Sequence, residues 1–203
     1  AGKAAVRVLE AAGVHVEVPS DVVDSGRAAH SKGFLEKARE HAEDNVETLA
    51  PKVGEGWDVV SVEPSVAVMF QLDYLDLLSG PDAETVANNT YGIFEYLDTH
   101  DLVGDLDVDP SARPLTYHGH CHQKAIKKDH YTADVLDAVG FTVDELDSSC
   151  CGMSGSFGYE AEHYSLSQSM ADILFDQIED SSGERVIAPG ASCRHQIGEH
   201  EGA

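Results

Sequence analysis

The sequence predicts an α/β protein made of two tandem α/β repeats, each with a parallel sheet flanked by helices. Three observations predict it. Segments of helical periodicity alternate with short β-branched runs along the whole chain, the pattern of parallel strands joined by helices. The stretch "VLEAAGVHVEV" from Val8 lines up with "VLDAVGFTVDE" from Val135, so the second half restates the first. Between the halves, "DLVGDLDVDPSAR" from Asp101 to Arg113 is rich in Asp, Gly and Pro and reads as a linker. The expected organisation is a first repeat over 1–100, a linker over 101–113 and a second repeat over 114–203.

The elements follow in order. "AAVRVLEAAG" is a helix stopped by Gly13, and "VHVEV" is a strand. Phe34, Ala38, Ala42, Val46 and Leu49 mark one face of a second helix. "WDVVSVEP" is a strand, Ala67 to Leu78 a helix, and 83–98 a helix weakened at Gly92. After the linker, "PLTYHGH" is a strand, 122–139 mostly helical and "FTVDEL" a strand. A long helix over 160–179 carries Leu166, Met170, Ile173, Leu174 and Ile178 on one face, and "RVIAPG" closes as a short buried strand.

Composition bounds the partners. The chain of 203 residues carries 37 acidic and 13 basic residues, a net charge of −24 spread from end to end, with only 7 lysines. Such a surface repels phosphates, which argues against nucleic acid and anionic membrane as partners. It also fits a high-salt cytoplasm, where salt screens the self-repulsion. No run of apolar residues approaches the roughly 20 that span a bilayer, and no signal peptide is visible. A cytoplasmic location is expected, with peripheral contact at the inner face of the membrane.

The repeat alignment isolates the chemistry. Asp24–Ser25–Gly26 stands where the second half has Cys150–Cys151–Gly152, and Val66 stands where it has Cys193. Cys121 lies 29 residues before Cys150, and its counterpart would fall ahead of residue 1, so the first repeat reads as cut short. All four cysteines therefore belong to the second repeat. Four thiolates satisfy an iron–sulfur cubane, and adjacent cysteines can reach different irons of one cluster. Cys121 and Cys193 follow strands, so they converge on the crevice where such folds hold cofactors. Gly152, Gly155 and Gly158 would let backbone N–H groups approach the sulfurs. Three other readings stay open: zinc held by Cys and the histidines of "HGHCHQKA", a vicinal disulfide at Cys150–Cys151, or cysteines buried as small apolar residues. His118, His120 and His122 would share one face of a strand, or else cap and start a helix. "GMSGSFG" lacks the Lys–Ser/Thr ending of a phosphate loop.

At these residues the sequence resembles the cysteine-rich "CCG" domain. That domain occurs in tandem in heterodisulfide reductase subunits, in the iron–sulfur subunits of glycolate oxidase and anaerobic glycerol-3-phosphate dehydrogenase, and in lactate-utilisation proteins. It also forms the C-terminal part of fused FAD-linked dehydrogenases, which "HGHCHQKA", "CCGMSGSFGYE" and "GASCRHQI" resemble most. The resemblance implies an iron–sulfur cluster on Cys121, Cys150, Cys151 and Cys193. It implies FAD in a partner domain or subunit that oxidises a 2-hydroxy acid such as D-lactate or glycolate, or glycerol-3-phosphate. It further implies a ferredoxin-like cluster domain and an electron acceptor such as quinone. Two departures stand out: the family's final CxxC is here Gly190-Ala191-Ser192-Cys193, and the first repeat has no cysteine at all. A zinc-binding or metal-free docking module and a thiol–disulfide module remain the alternatives.

Overall fold

The computed structural model describes residues 1–110, 113–148 and 150–201. Ser111 and Ala112 of the expected linker, and Ser149 ahead of the paired cysteines, lie outside the described residues. The chain divides into two compact units, Ala1–Thr99 and His100–Ala203.

In the first unit, α1 (Gly2–Ala11) buries Ala5 and Leu9 and stops where Gly13 turns to φ +80°. The short α2 (Arg27–Ser31) follows Gly26. Then α3 (Leu35–Gly54) buries Ala38, Ala42, Val46 and Leu49, and adds a turn beyond the expected face to bury Val53. Strand β1 (Val59–Ser61) comes next. The helix expected over 67–78 is α4 (Pro64–Val68), one π-helical turn at Met69–Asp73 and α5 (Tyr74–Leu77). The face of α3 packs on Met69, Phe70, Tyr74 and Leu77 to make the core.

Two expectations fail here. The helix expected over 83–98 is α6 (Pro81–Asn88), strand β2 (Thr90–Gly92) and α7 (Ile93–Thr99). Side chains force the break. The Thr90 hydroxyl donates to Val86 O, Gln71 Nε2 donates to Thr90 O, and the Gly92 N–H donates to Glu95 Oε2. β2 then pairs in parallel with β1, Val59 opposite Thr90. Second, "VHVEV" joins no ladder among the described residues. A cleft of about 770 Å³, lined by Val14, Val16, Val18, Trp57 and Val60, borders both this segment and β1.

In the second unit a 3₁₀ turn (Val103–Asp105) precedes β3 (Leu115–Tyr117). Then come α8 (Cys121–Ala125), α9 (His130–Ala138) and β4 (Val143–Glu145). A 3₁₀ turn at Phe157–Tyr159 leads into α10 (Tyr164–Asp180), β5 (Arg185–Ile187) and α11 (Ala191–Glu201). The sheet is parallel throughout, ordered β4-β3-β5, with Leu115 opposite both Val143 and Arg185. The central β3 is buried at every residue, as a strand covered on both faces should be.

The buried face of α10 is Ser167, Ala171, Leu174 and Phe175, while Leu166 and Ile173 are exposed. The expected apolar face is thus rotated by about one position. Small residues are needed because α10 passes close under the cysteine loop. A Cβ on Gly152 would stand 2.2 Å from Ser167 O. Among the described residues, no helix is long and apolar enough to cross a membrane.

Candidate metal centre

Each strand of the second sheet ends at part of the site. Four residues past β3, Cys121 opens α8; Cys150 and Cys151 follow β4; Cys193 sits in the first turn of α11. Because β3 lies between β4 and β5, all three connections leave the same edge of the sheet as neighbours. Cys151 and Cys193 are buried and pack with Met153, Leu174, Phe175 and Ile197 in the unit's core. Cys121 and Cys150 are half-buried, and all four are free thiols.

The four side chains form one hydrogen-bonded row, Cys121 to Cys150 to Cys151 to Cys193. Within it the charge separates. Thiol hydrogen bonds from Cys121 and Cys151, helped by the backbone N–H groups of Gly152 and Ser154, hold Cys150 far below the usual thiol range. The Cys151 thiol, with His118 beside it, brings Cys193 down to about 6 against the opposing effect of burial. Cys121 is pushed up by its bond to Cys150 and by burial, and Cys151 by its bonds to Cys150 and Cys193 and by burial. Two thiolates in a chain of net charge −24 need local compensation. The start of the eleven-residue α11 supplies part of it at Cys193. Backbone donors supply the rest: the Gly152 N–H points to Cys150 Sγ at 3.4 Å, and the Met153 N–H to Cys151.

Gly152 can be nothing else. It sits at φ +88° with its missing Cβ aimed at a carbonyl. The expectation that Gly155 and Gly158 also bring N–H groups to sulfur needs correcting. The Gly158 N–H donates to Met153 O at 3.0 Å, and a Cβ there would press on Ser167 Oγ and Met153 Sδ, so this glycine serves packing. Gly155 turns the loop where a Cβ would meet nothing within 4 Å. The loop's N–H donors to sulfur are Gly152, Met153 and Ser154, and the His122 N–H serves Cys121.

The three histidines do not share a strand face, because β3 ends at Tyr117. His118 is 1% exposed, and its N–H is fixed to Ile187 O of β5. Its Nδ1 bonds Ser148 Oγ at 2.6 Å, and it offers a donor atom within 4.8 Å of both Cys151 and Cys193 sulfurs. His120 caps α8, accepting from the His122 N–H at 3.3 Å. Burial, with His122 and His118 nearby, lowers its pKa to about 4, so its ring is neutral at pH 7. His122 lies edge-on to His120 in the first turn of α8. The His120 ring occupies the space where the final motif lacks its first cysteine. A Cβ at Gly190 would stand 2.3 Å from His120 Cδ2 and 3.4 Å from Cys193 Sγ.

Ser148 and Lys124 complete the site, and the sequence reading missed both. Lys124 Nζ donates to Ser148 O and bonds Leu146 O at 3.5 Å, tying α8 to the chain entering the cysteine pair. Their signal was faint: Lys124 is three residues past Cys121, and Ser148 two before Cys150.

The first unit has a loop of the same form without sulfur. The Gly26 N–H donates to Asp24 Oδ1 at 2.8 Å, and the Tyr74 hydroxyl donates to Ser25 O at 3.0 Å. Fully buried Asn45 accepts from the Val23 N–H and donates to Asp24 O and to the Tyr74 oxygen.

A parallel α/β unit with four cysteines gathered at the C-terminal ends of its strands defines a cysteine-rich α/β domain. The family described as the cysteine-rich CCG domain matches residues 115–198. Lactate utilization protein A of Bacillus pumilus is 30% identical over 208 residues, covering 97% of this chain and 83% of its own length. The anaerobic glycerol-3-phosphate dehydrogenase of Escherichia coli has a subunit that is 29% identical over 201 residues, 97% of this chain but 50% of its own. The chain thus spans half the length of that relative. It belongs to the cysteine-rich CCG family. No solved structure shows a significant match to it.

Proposed function

We propose that this chain is the iron–sulfur electron-transfer part of an oxidoreductase, with Cys121, Cys150, Cys151 and Cys193 as the ligands of its cluster. The observation that carries the reading is the row of four thiols over one sheet edge, two of them favouring the thiolate. Such a donor set suits iron–sulfur chemistry, in which the bound cluster takes up and passes on single electrons. The chain's own residues bind and tune. Gly152, Met153 and Ser154 direct N–H groups at sulfur, which stabilises the more reduced, more negative state. Burial of Cys151 and Cys193 keeps water from one side, while half-buried Cys121 and Cys150 leave the other closer to the surface. That side is the natural exit for an electron.

The finer reading rests on the sequence's resemblance to the CCG family, with the two relatives' names pointing to lactate and glycerol-3-phosphate. The electrons come from a flavin-containing domain or subunit oxidising lactate, glycolate, glycerol-3-phosphate or a related compound. They pass through a ferredoxin-like cluster domain to an acceptor such as quinone, in the cytoplasm or at the inner face of the membrane. Residues 1–100 are the first copy of the CCG repeat with its cysteines replaced, 101–113 its linker and 114–203 the working copy. The acidic, lysine-poor surface supports a high-salt cytoplasm. One observation favours a second reading: His118, Cys151 and Cys193 alone would suit zinc. The test is anaerobic purification in high salt, with iron, acid-labile sulfide and zinc assayed per chain and an EPR spectrum of the reduced sample. The proposal expects iron and sulfide together, both lost when Cys150 and Cys151 are replaced by Ala. Zinc without sulfide would establish the second reading.

A further inference from the structure

We infer that His118 is itself a ligand of the centre, its Nε2 joining the sulfurs of Cys151 and Cys193 on one metal atom to give mixed imidazole–thiolate coordination. This rests on the reading of the site as an iron–sulfur centre. The ring is 1% exposed at the end of the central strand, with its backbone N–H held by Ile187 O and Nδ1 held by Ser148 Oγ. Nε2 has no nitrogen or oxygen partner, and what stands near the ring is sulfur, that of Cys193 included. The imidazole nitrogen and the two sulfurs lie within 4.8 Å of one another. Small side-chain rotations bring such a triplet onto one metal, with bonds of roughly 2.0–2.3 Å.

The surroundings suit the tautomer a ligand needs. When Nδ1–H is donated to the buried Ser148 hydroxyl, which can accept it, the lone pair sits on Nε2. A ligating histidine ordinarily gives its other N–H to such a partner, which also sets the ring's orientation. Ser148 is held in turn through its carbonyl by Lys124. A side chain at position 190 would run into the His120 ring, so a thiol there would have to displace that ring. His118 supplies a neutral donor instead, which makes the centre one charge less negative than a fifth thiolate would. Imidazole in place of thiolate raises a cluster's reduction potential.

The test uses the whole chain, loaded anaerobically with iron and sulfide after expression with ¹⁵N-histidine, and pulsed EPR of the reduced centre. The inference expects a strongly coupled nitrogen whose signal changes between ¹⁴N- and ¹⁵N-histidine samples and disappears in His118→Gln. His118→Cys should keep iron and sulfide, lose the nitrogen coupling and shift the midpoint potential downward. A loaded centre with no coupled nitrogen, or with one that survives His118→Gln, overturns the inference and leaves the iron–sulfur reading standing. Failure of the unsubstituted chain to hold iron and sulfide overturns that reading, and this inference with it.

Discussion

In both units a glycine at positive φ tucks beneath the long helix that follows it, Gly26 beneath Ala38 and Gly152 beneath Ser167. In both, the residue two positions earlier accepts that glycine's N–H, through Asp24 Oδ1 in one and Cys150 Sγ in the other. The backbone is shared and the contents differ. In the first unit an amide and a phenol, Asn45 and Tyr74, bond the loop's own polar groups and satisfy them within the protein. In the second, four thiols and an imidazole face one another, bonded to each other and to a few backbone N–H groups, with no amide or phenol side chain closing the loop upon itself. The loop is a scaffold that tolerates either outcome. What makes a binding site is the presence of buried donors that the protein leaves for something else to satisfy.

The largest test of this comparison is at the glycines. Gly152→Ala places a methyl against backbone at 2.2 Å, while Gly26→Ala meets Ala38 O at 3.1 Å. Strain at positive φ and overpacking together should cost the second unit ~4 kcal/mol or more, and the first ~1–2 kcal/mol. Urea unfolding can follow both, since Trp57, the sole tryptophan, reports the first unit and thiol exposure the second. Equal costs would break the analogy between the loops' supports.

Protons give the next test. The folded pKa of His120 is lowered from 6.5 to about 4 by burial. As pH falls, the unfolded chain therefore takes the proton first. The stability of the ligand-free second unit is complete above about pH 6.5 and declines towards pH 4. Across that window the chain should lose ~2.5 kcal/mol more than His120→Gln, read from urea midpoints at pH 7.5 and 4.5. Parallel pH profiles for the two proteins would contradict the buried neutral imidazole.

In the first unit, Asn45→Ala leaves the Val23 N–H and Asp24 O without their partner and should cost ~2 kcal/mol. Trp57 fluorescence would show it, with metal uptake by the second unit unchanged. The smallest effect is a rate order. In the reduced, ligand-free chain, the Cys150 thiolate should react with iodoacetamide at pH 6 before Cys121, whose thiol is held protonated. Peptide mass spectrometry after brief labelling gives the order, and Cys121 reacting first would contradict the charge separation along the row.

The repeat and the cysteine loop were legible because glycines at matching offsets mark turns that only glycine makes. The alternation of helices with parallel strands was legible for the same kind of local reason. What was not legible depends on the third dimension. The face of α10 was misread because close approach to the loop selects Ser167 and Ala171, whose small side chains carry no hydrophobic signal. The strand at 90–92 was hidden inside a helical pattern because Gln71 and Glu95, distant in sequence from each other, hold it open. The histidines were placed by strand periodicity, which ends at Tyr117, so their separate roles could not be read from spacing. Ser148 matters through the ring it orients, and nothing local to it says so.

On the proposed function, one unit holds a redox centre and the other holds the same loop closed upon itself. Native mass spectrometry of the anaerobically loaded chain tests it most directly. A single iron–sulfur mass increment is expected, absent from Cys150→Ala/Cys151→Ala and retained in Asp24→Ala/Ser25→Ala. A chain carrying zinc alone, or an increment that survives loss of the paired cysteines, would contradict it.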